Sequence, residues 1–116
     1  MELWRRVAGP GGVAENATLE LSRITTEALK ATWRHHLEAI RQELGIEKAT
    51  RLERLLIQHV AQCWLRLNIM ELEYTLAVGG QHRITEGLYY EKRLTEAQKR
   101  YARASESLAR VRRLSR

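Results

Sequence analysis

From Tyr90 to Val111 the apolar residues fall at Tyr90, Leu94, Ala97, Tyr101, Ala104, Leu108 and Val111, in alternating steps of four and three. That spacing is the seam of a helix packed along another helix. It predicts a helix from Glu86 to about Leu114, with Thr85 as its N-cap and Gly87 as a weak point in its first turn. The preceding apolar run is broader. Leu52, Leu55, Leu56, Val60, Trp64, Leu67, Met70, Leu72 and Leu76 occupy most of a helix circumference. A helix from Glu47 to Val78 is therefore expected at the centre of the molecule, about 48 Å long and covered on more than one side. Gly79-Gly80 with Gln81, His82 and Arg83 makes a short connection, so these two helices form an antiparallel hairpin. Upstream, Leu29, Trp33, Leu37, Ile40 and Leu44 form a third stripe, with Leu21, Ile24 and Ala28 beside it. It predicts a helix from Ala17 to Leu44, capped by Asn16 and closed by Gly45 in the left-handed conformation.

The expected architecture is an all-α helical bundle over residues 16–116, a long antiparallel hairpin with a third packed helix. Residues 1–15 form an N-terminal arm, which Gly9-Pro10-Gly11-Gly12 keeps from being helical. Two neighbours in one chain do not cover the girth of the central helix. Leu56, Val60, Trp64 and Leu67 are therefore expected to meet a second copy, giving a homo-oligomer.

Composition sharpens this picture. All fourteen acids among the 116 residues are Glu, and the twenty bases are sixteen Arg and four Lys. Glu suits helix interiors, where Asp would favour caps and turns. The net charge of +6 resides entirely in the last twenty residues. There Lys99, Arg100, Arg103, Arg110, Arg112, Arg113 and Arg116 face a single acid, Glu106, while the first ninety-six residues balance to zero. Glu96 and Glu106 each stand four residues before an arginine, Arg100 and Arg110, in the favourable order for a helical pair. Lys99, Arg103, Arg112, Arg113 and Arg116 have no such local acid. None of the seven bases lies on the seam. The pattern fits three surfaces: a solvated helix end, a face that meets phosphates, and a face that docks an acidic protein or an anionic membrane, the membrane being the poorest fit because the seam is rich in Ala and Tyr.

Other chemistry is thinly represented. His35 and His36 are adjacent and diverge on a helix, and His59 with Cys63 supplies only two ligands, so no metal or other cofactor is expected. Cys63 is surrounded by Val60, Trp64 and Leu67, which suits a buried thiol better than a nucleophile. Glu71 and Glu73 face apart, and no phosphate-binding glycine loop is present. Nothing assembles a catalytic constellation, and neither enzymatic activity nor a small-molecule substrate is expected. Tyr89 lies one residue off the seam, where it can stack on a base or cover the end of the hairpin. After Arg5 and Arg6, Ala8-Gly9-Pro10-Gly11-Gly12 stands where the apolar core of a secretion signal would be, and no run reaches the length of a membrane span, so a cytoplasmic location without membrane contact is expected.

The elements Leu55-Leu56-Ile57, Trp64-Leu65-Arg66-Leu67, Tyr89-Tyr90-Glu91-Lys92-Arg93, Lys99-Arg100-Tyr101 and Leu108-Ala109-Arg110-Val111-Arg112-Arg113-Leu114 resemble a family of small uncharacterised helical bacterial proteins over residues 50–114. In architecture the chain is also similar to basic helical-bundle accessory proteins of mobile elements, such as the accessory protein of diversity-generating retroelements. The resemblance implies the helical fold and transfers no activity. The expected function is a non-enzymatic module that self-associates and contacts nucleic-acid backbone through the basic C-terminal helix, as an accessory subunit of a nucleoprotein complex. The other expectation is an adaptor whose basic helix docks an acidic protein.

Overall fold

The computed structural model describes residues 26–78 and 84–114, arranged as three helices: α1 (Glu27–Glu43), α2 (Arg51–Val78) and α3 (Ile84–Leu114). The expected arm, Asn16, Leu21, Ile24, the Gly79–Arg83 connection and Arg116 lie outside the described residues.

Helix α1 begins at Glu27, not within a helix running from Ala17. Thr26 is extended, with φ −85° and ψ 165°, and its hydroxyl accepts the amide of Leu29 at 3.1 Å. A threonine one residue before an acidic first turn is a favourable N-cap. At the other end Gly45 adopts φ 75°, as its position after the stripe predicts, and its amide donates to the carbonyl of Gln42 at 3.0 Å. The chain then makes one 3₁₀ turn at Ile46–Lys48 before α2.

The start of α2 is four residues later than the apolar pattern suggests. Thr50 and Glu53 form a reciprocal capping box: the Thr50 hydroxyl accepts the Glu53 amide at 3.2 Å, and the Glu53 carboxylate accepts the Thr50 amide at 3.4 Å. Helix α3 begins at Ile84, so Thr85 lies inside it and is not its cap.

Helix α2 is central, as expected. On one side Ile57, Val60 and Cys63 pack against Ala104 and Leu108 of α3, together with Ile46 and Ala49 of the interhelical turn. On another side Ala61, Leu65 and Ile69 pack against Trp33 and Leu37 of α1. All seven seam residues of α3 are buried or half-buried, and between them every residue but the half-buried Ser105 is exposed. Arg112 near the end of α3 reaches Glu53 near the start of α2, which fixes the two helices as antiparallel.

Candidate nucleic-acid interface

The six described basic residues of the C-terminal stretch do not form one surface. Arg100, Arg103 and Ser107 follow each other at steps of three and four, so they share a face of α3. Arg100 and Arg103 lean into the groove between α3 and α2, and Arg66 of α2 approaches from the opposite wall. Together they rim a cavity of about 380 Å³, whose lining includes Leu56, Cys63, Ala97 and Ala104. A second cavity of about 650 Å³ continues the groove past Arg66 and Arg100 to Lys92, Arg93 and Tyr89. Over both cavities the lining holds five cationic side chains (Arg66, Lys92, Arg93, Arg100 and Arg103) and two carboxylates, Glu73 and Glu96. The groove is thus basic.

Arg110 and Arg113 stand apart, together with Glu106, around a separate recess near the end of α3. Lys99 has a local acid after all: its ammonium lies 3.7 Å from Glu96. The sequence spacing assigned Glu96 to Arg100, but the carboxylate turns towards the i+3 partner.

Arg112 departs furthest from its expected role. Its Nε donates to the Glu53 carboxylate at 3.1 Å, and Nη2 donates to the carbonyl of Leu44, the C-cap residue of α1. One guanidinium therefore ties the ends of α1 and α3 to the first turn of α2. It answers one of the carbonyls that a helix end leaves without an intrahelical partner, where a cation is also favoured by the helix dipole. The Arg112 bond, followed by the Thr50 hydroxyl, holds the Glu53 carboxyl below the usual glutamate range. Arg112 is a clamp within the fold, so its guanidinium is already committed.

The apolar positions expected to meet another copy are also redistributed. Val60 is buried in the chain's own core, packed towards α3, and is not available to a partner. Leu56, Trp64 and Leu67 are half-buried, and Trp64 lies against His36 with ring centroids 5.8 Å apart. The exposed leucines of α2 are instead Leu52, Leu55 and Leu76. Leu52 and Leu55 lead along one helical face into His59 and Arg66, so the apolar surface runs into one end of the basic groove.

The contribution of α2 to this site is the part that charge counting overlooked. Arg66 sits in a stretch whose charges balance, but its spacing carried a signal. His59, Cys63 and Arg66 follow each other at steps of four and three and so share a face. In the structure Cys63 Sγ lies 3.8 Å from His59 Nε2. Burial pushes the thiol up from its ordinary pKa, opposed by the charges of Arg66 and Arg100. That balance favours the neutral thiol and gives no activated nucleophile. Tyr89 is 57% exposed, stands edge-on to Tyr90 at 5.5 Å, and has the Arg93 guanidinium 5.5 Å from its ring centre.

Among the described residues no three His, Cys or Glu side chains gather as metal ligands, and no helix is long and apolar enough to cross a membrane. No protein family, curated protein or solved structure matches this chain.

Proposed function

We propose that this protein is a non-enzymatic helical module of the cytoplasm that self-associates and binds nucleic-acid backbone, acting as an accessory subunit in a larger nucleoprotein assembly. The observation that carries the reading is the convergence of Arg100 and Arg103 from α3 with Arg66 from α2 across one groove. None of these three is engaged by a carboxylate among the described residues, and all three are exposed. Arginine forks match phosphate oxygens, and desolvated or clustered guanidinium groups are strong phosphate partners. Self-association is supported by the exposed Leu52, Leu55, Leu76 and Leu88, which leave apolar surface on both helices of the hairpin.

The test is fluorescence anisotropy with labelled DNA and RNA of random sequence. Binding is expected at about 10 μM protein in 150 mM salt, inside the range of non-specific binders. Replacing Arg100 and Arg103 together by Glu should abolish it while leaving the helical circular-dichroism signal unchanged. Absence of binding by the unaltered protein would leave the adaptor, with its acidic protein partner, as the standing reading.

A further inference from the structure

The shape of the basic groove says more about its ligand than its charge does. A duplex presents phosphates on a convex surface with its bases stacked inside, and needs only an exposed basic face. Arg110 and Arg113 would serve such a ligand, since they project from the end of α3. The α2–α3 groove is different. Beside its cations the lining holds Leu56, Cys63, Ala97 and Ala104, with Gln62 and His59 as its polar members on α2. Small apolar residues beside guanidinium groups suit a ligand with alternating charged and flat apolar parts. Single-stranded nucleic acid has that character, because its bases are free to turn away from the phosphates and lie on protein surface. At one end of the groove the exposed ring of Tyr89, backed by Arg93, offers a face on which a base can stack.

We propose that the groove between α2 and α3 binds a single strand of nucleic acid, with phosphates on Arg66, Arg100 and Arg103, bases over the apolar lining, and one base on Tyr89. The inference rests on the nucleic-acid reading above and adds Arg66 and Tyr89 to it. An acidic peptide would satisfy the arginines but would gain little from the apolar lining or from the ring of Tyr89. The α2 wall from Leu56 to Met70 rises about 21 Å at 1.5 Å per residue. That spans roughly six nucleotides at their stacked spacing in one strand. The site reads no sequence, because its contacts go to phosphates and to ring faces.

The experiment uses the full-length protein and one labelled twenty-nucleotide sequence in three forms: single-stranded DNA, single-stranded RNA and the DNA duplex. The single strands are expected to bind about tenfold more tightly than the duplex, and binding should be lost below roughly four to six nucleotides. Arg66→Ala should weaken single-strand binding about tenfold, the scale of one charge-assisted contact, with partial recovery in Arg66→Lys. Tyr89→Ala should weaken it several-fold, and Arg113→Ala should leave it within twofold. Arg66 and Tyr89 are exposed, so both variants keep the fold, which circular dichroism verifies. Duplex binding equal to or tighter than single-strand binding would overturn the proposal, as would an Arg66→Ala variant that binds like the parent. Displacement of the single strand by polyglutamate at equal charge concentration would also overturn it. In each of those cases nucleic-acid binding through α3 survives. If none of the three oligonucleotides binds, the broader functional reading falls as well.

Discussion

At the scale of single residues, the energetics turn on how each side chain is engaged. Arg112 and Arg103 look alike in the sequence, yet Arg112 holds Glu53 and the Leu44 carbonyl while Arg103 stands open at the groove. Arg112→Ala is therefore expected to lower the urea midpoint and to leave oligonucleotide binding unchanged. The pH dependence has a definite sign. The folded-state pKa of Glu53 is lowered, chiefly by Arg112. The stability it contributes is present above the ordinary glutamate value and is lost as the pH falls through the lowered one. The gap between the parent and Arg112→Ala should thus hold from pH 7 down to the ordinary glutamate value and narrow below it; a gap that stays constant there would show that Glu53 is not its origin. Gly45 gives a second test. A Cβ there would come no closer than 3.9 Å to the Arg112 guanidinium, so the cost of Gly45→Ala is backbone strain at φ 75°, about 1–2 kcal/mol. Gly87 is the converse: nothing lies within 4 Å of an added Cβ, and Gly87→Ala should stabilise α3 by up to about 1 kcal/mol. Chemical denaturation measures both.

At the scale of elements, the stripes of all three helices were legible because each packs through a regular seam. Trp33 and Leu37 face α2, and Ala104 and Leu108 face it from the other side, as their spacing predicts. Helix starts were less legible. Apolar periodicity continues across Ile46 and Lys48, but the backbone there is set by Gly45, a 3₁₀ turn and the Thr50–Glu53 capping box. Those are local polar signals that a search for apolar stripes passes over. The site was half legible for a related reason. A surplus of charge locates the basic helix, but a groove has two walls, and Arg66 belongs to a stretch whose total charge is zero. The central helix also leads to a stability prediction. Trp33 is buried against α2 and Trp64 only half-buried. Trp33→Ala should cost about 3–5 kcal/mol, and Trp64→Ala clearly less. Equal costs would mean that Trp64 is covered by a further copy of the chain under the conditions of measurement.

At the scale of the whole molecule, two proposed properties respond to salt in opposite directions, which makes them separable. Each chain carries a net charge of +6, so bringing copies together through the leucine surface opposes like charges. Added salt screens that repulsion, with a Debye length near 8 Å at physiological ionic strength, and leaves apolar burial in place. Contact with phosphates behaves in the other way, because each neutralised phosphate releases counterions and dilute salt favours the release. With three to five phosphate contacts on a single strand, the slope of log K against log salt should be roughly −2 to −3.5. Between 50 and about 500 mM salt, light scattering should show the mass rising away from the 13.5 kDa of one chain, while anisotropy shows oligonucleotide affinity falling. Leu52→Glu with Leu55→Glu should remove the first response, because Leu52 is 54% and Leu55 48% exposed in one chain and neither supports the core. A mass that stays at one chain throughout would eliminate self-association and leave the groove as a monomer's property. A mass that falls with salt would show that ion pairs, and not these leucines, hold the copies together.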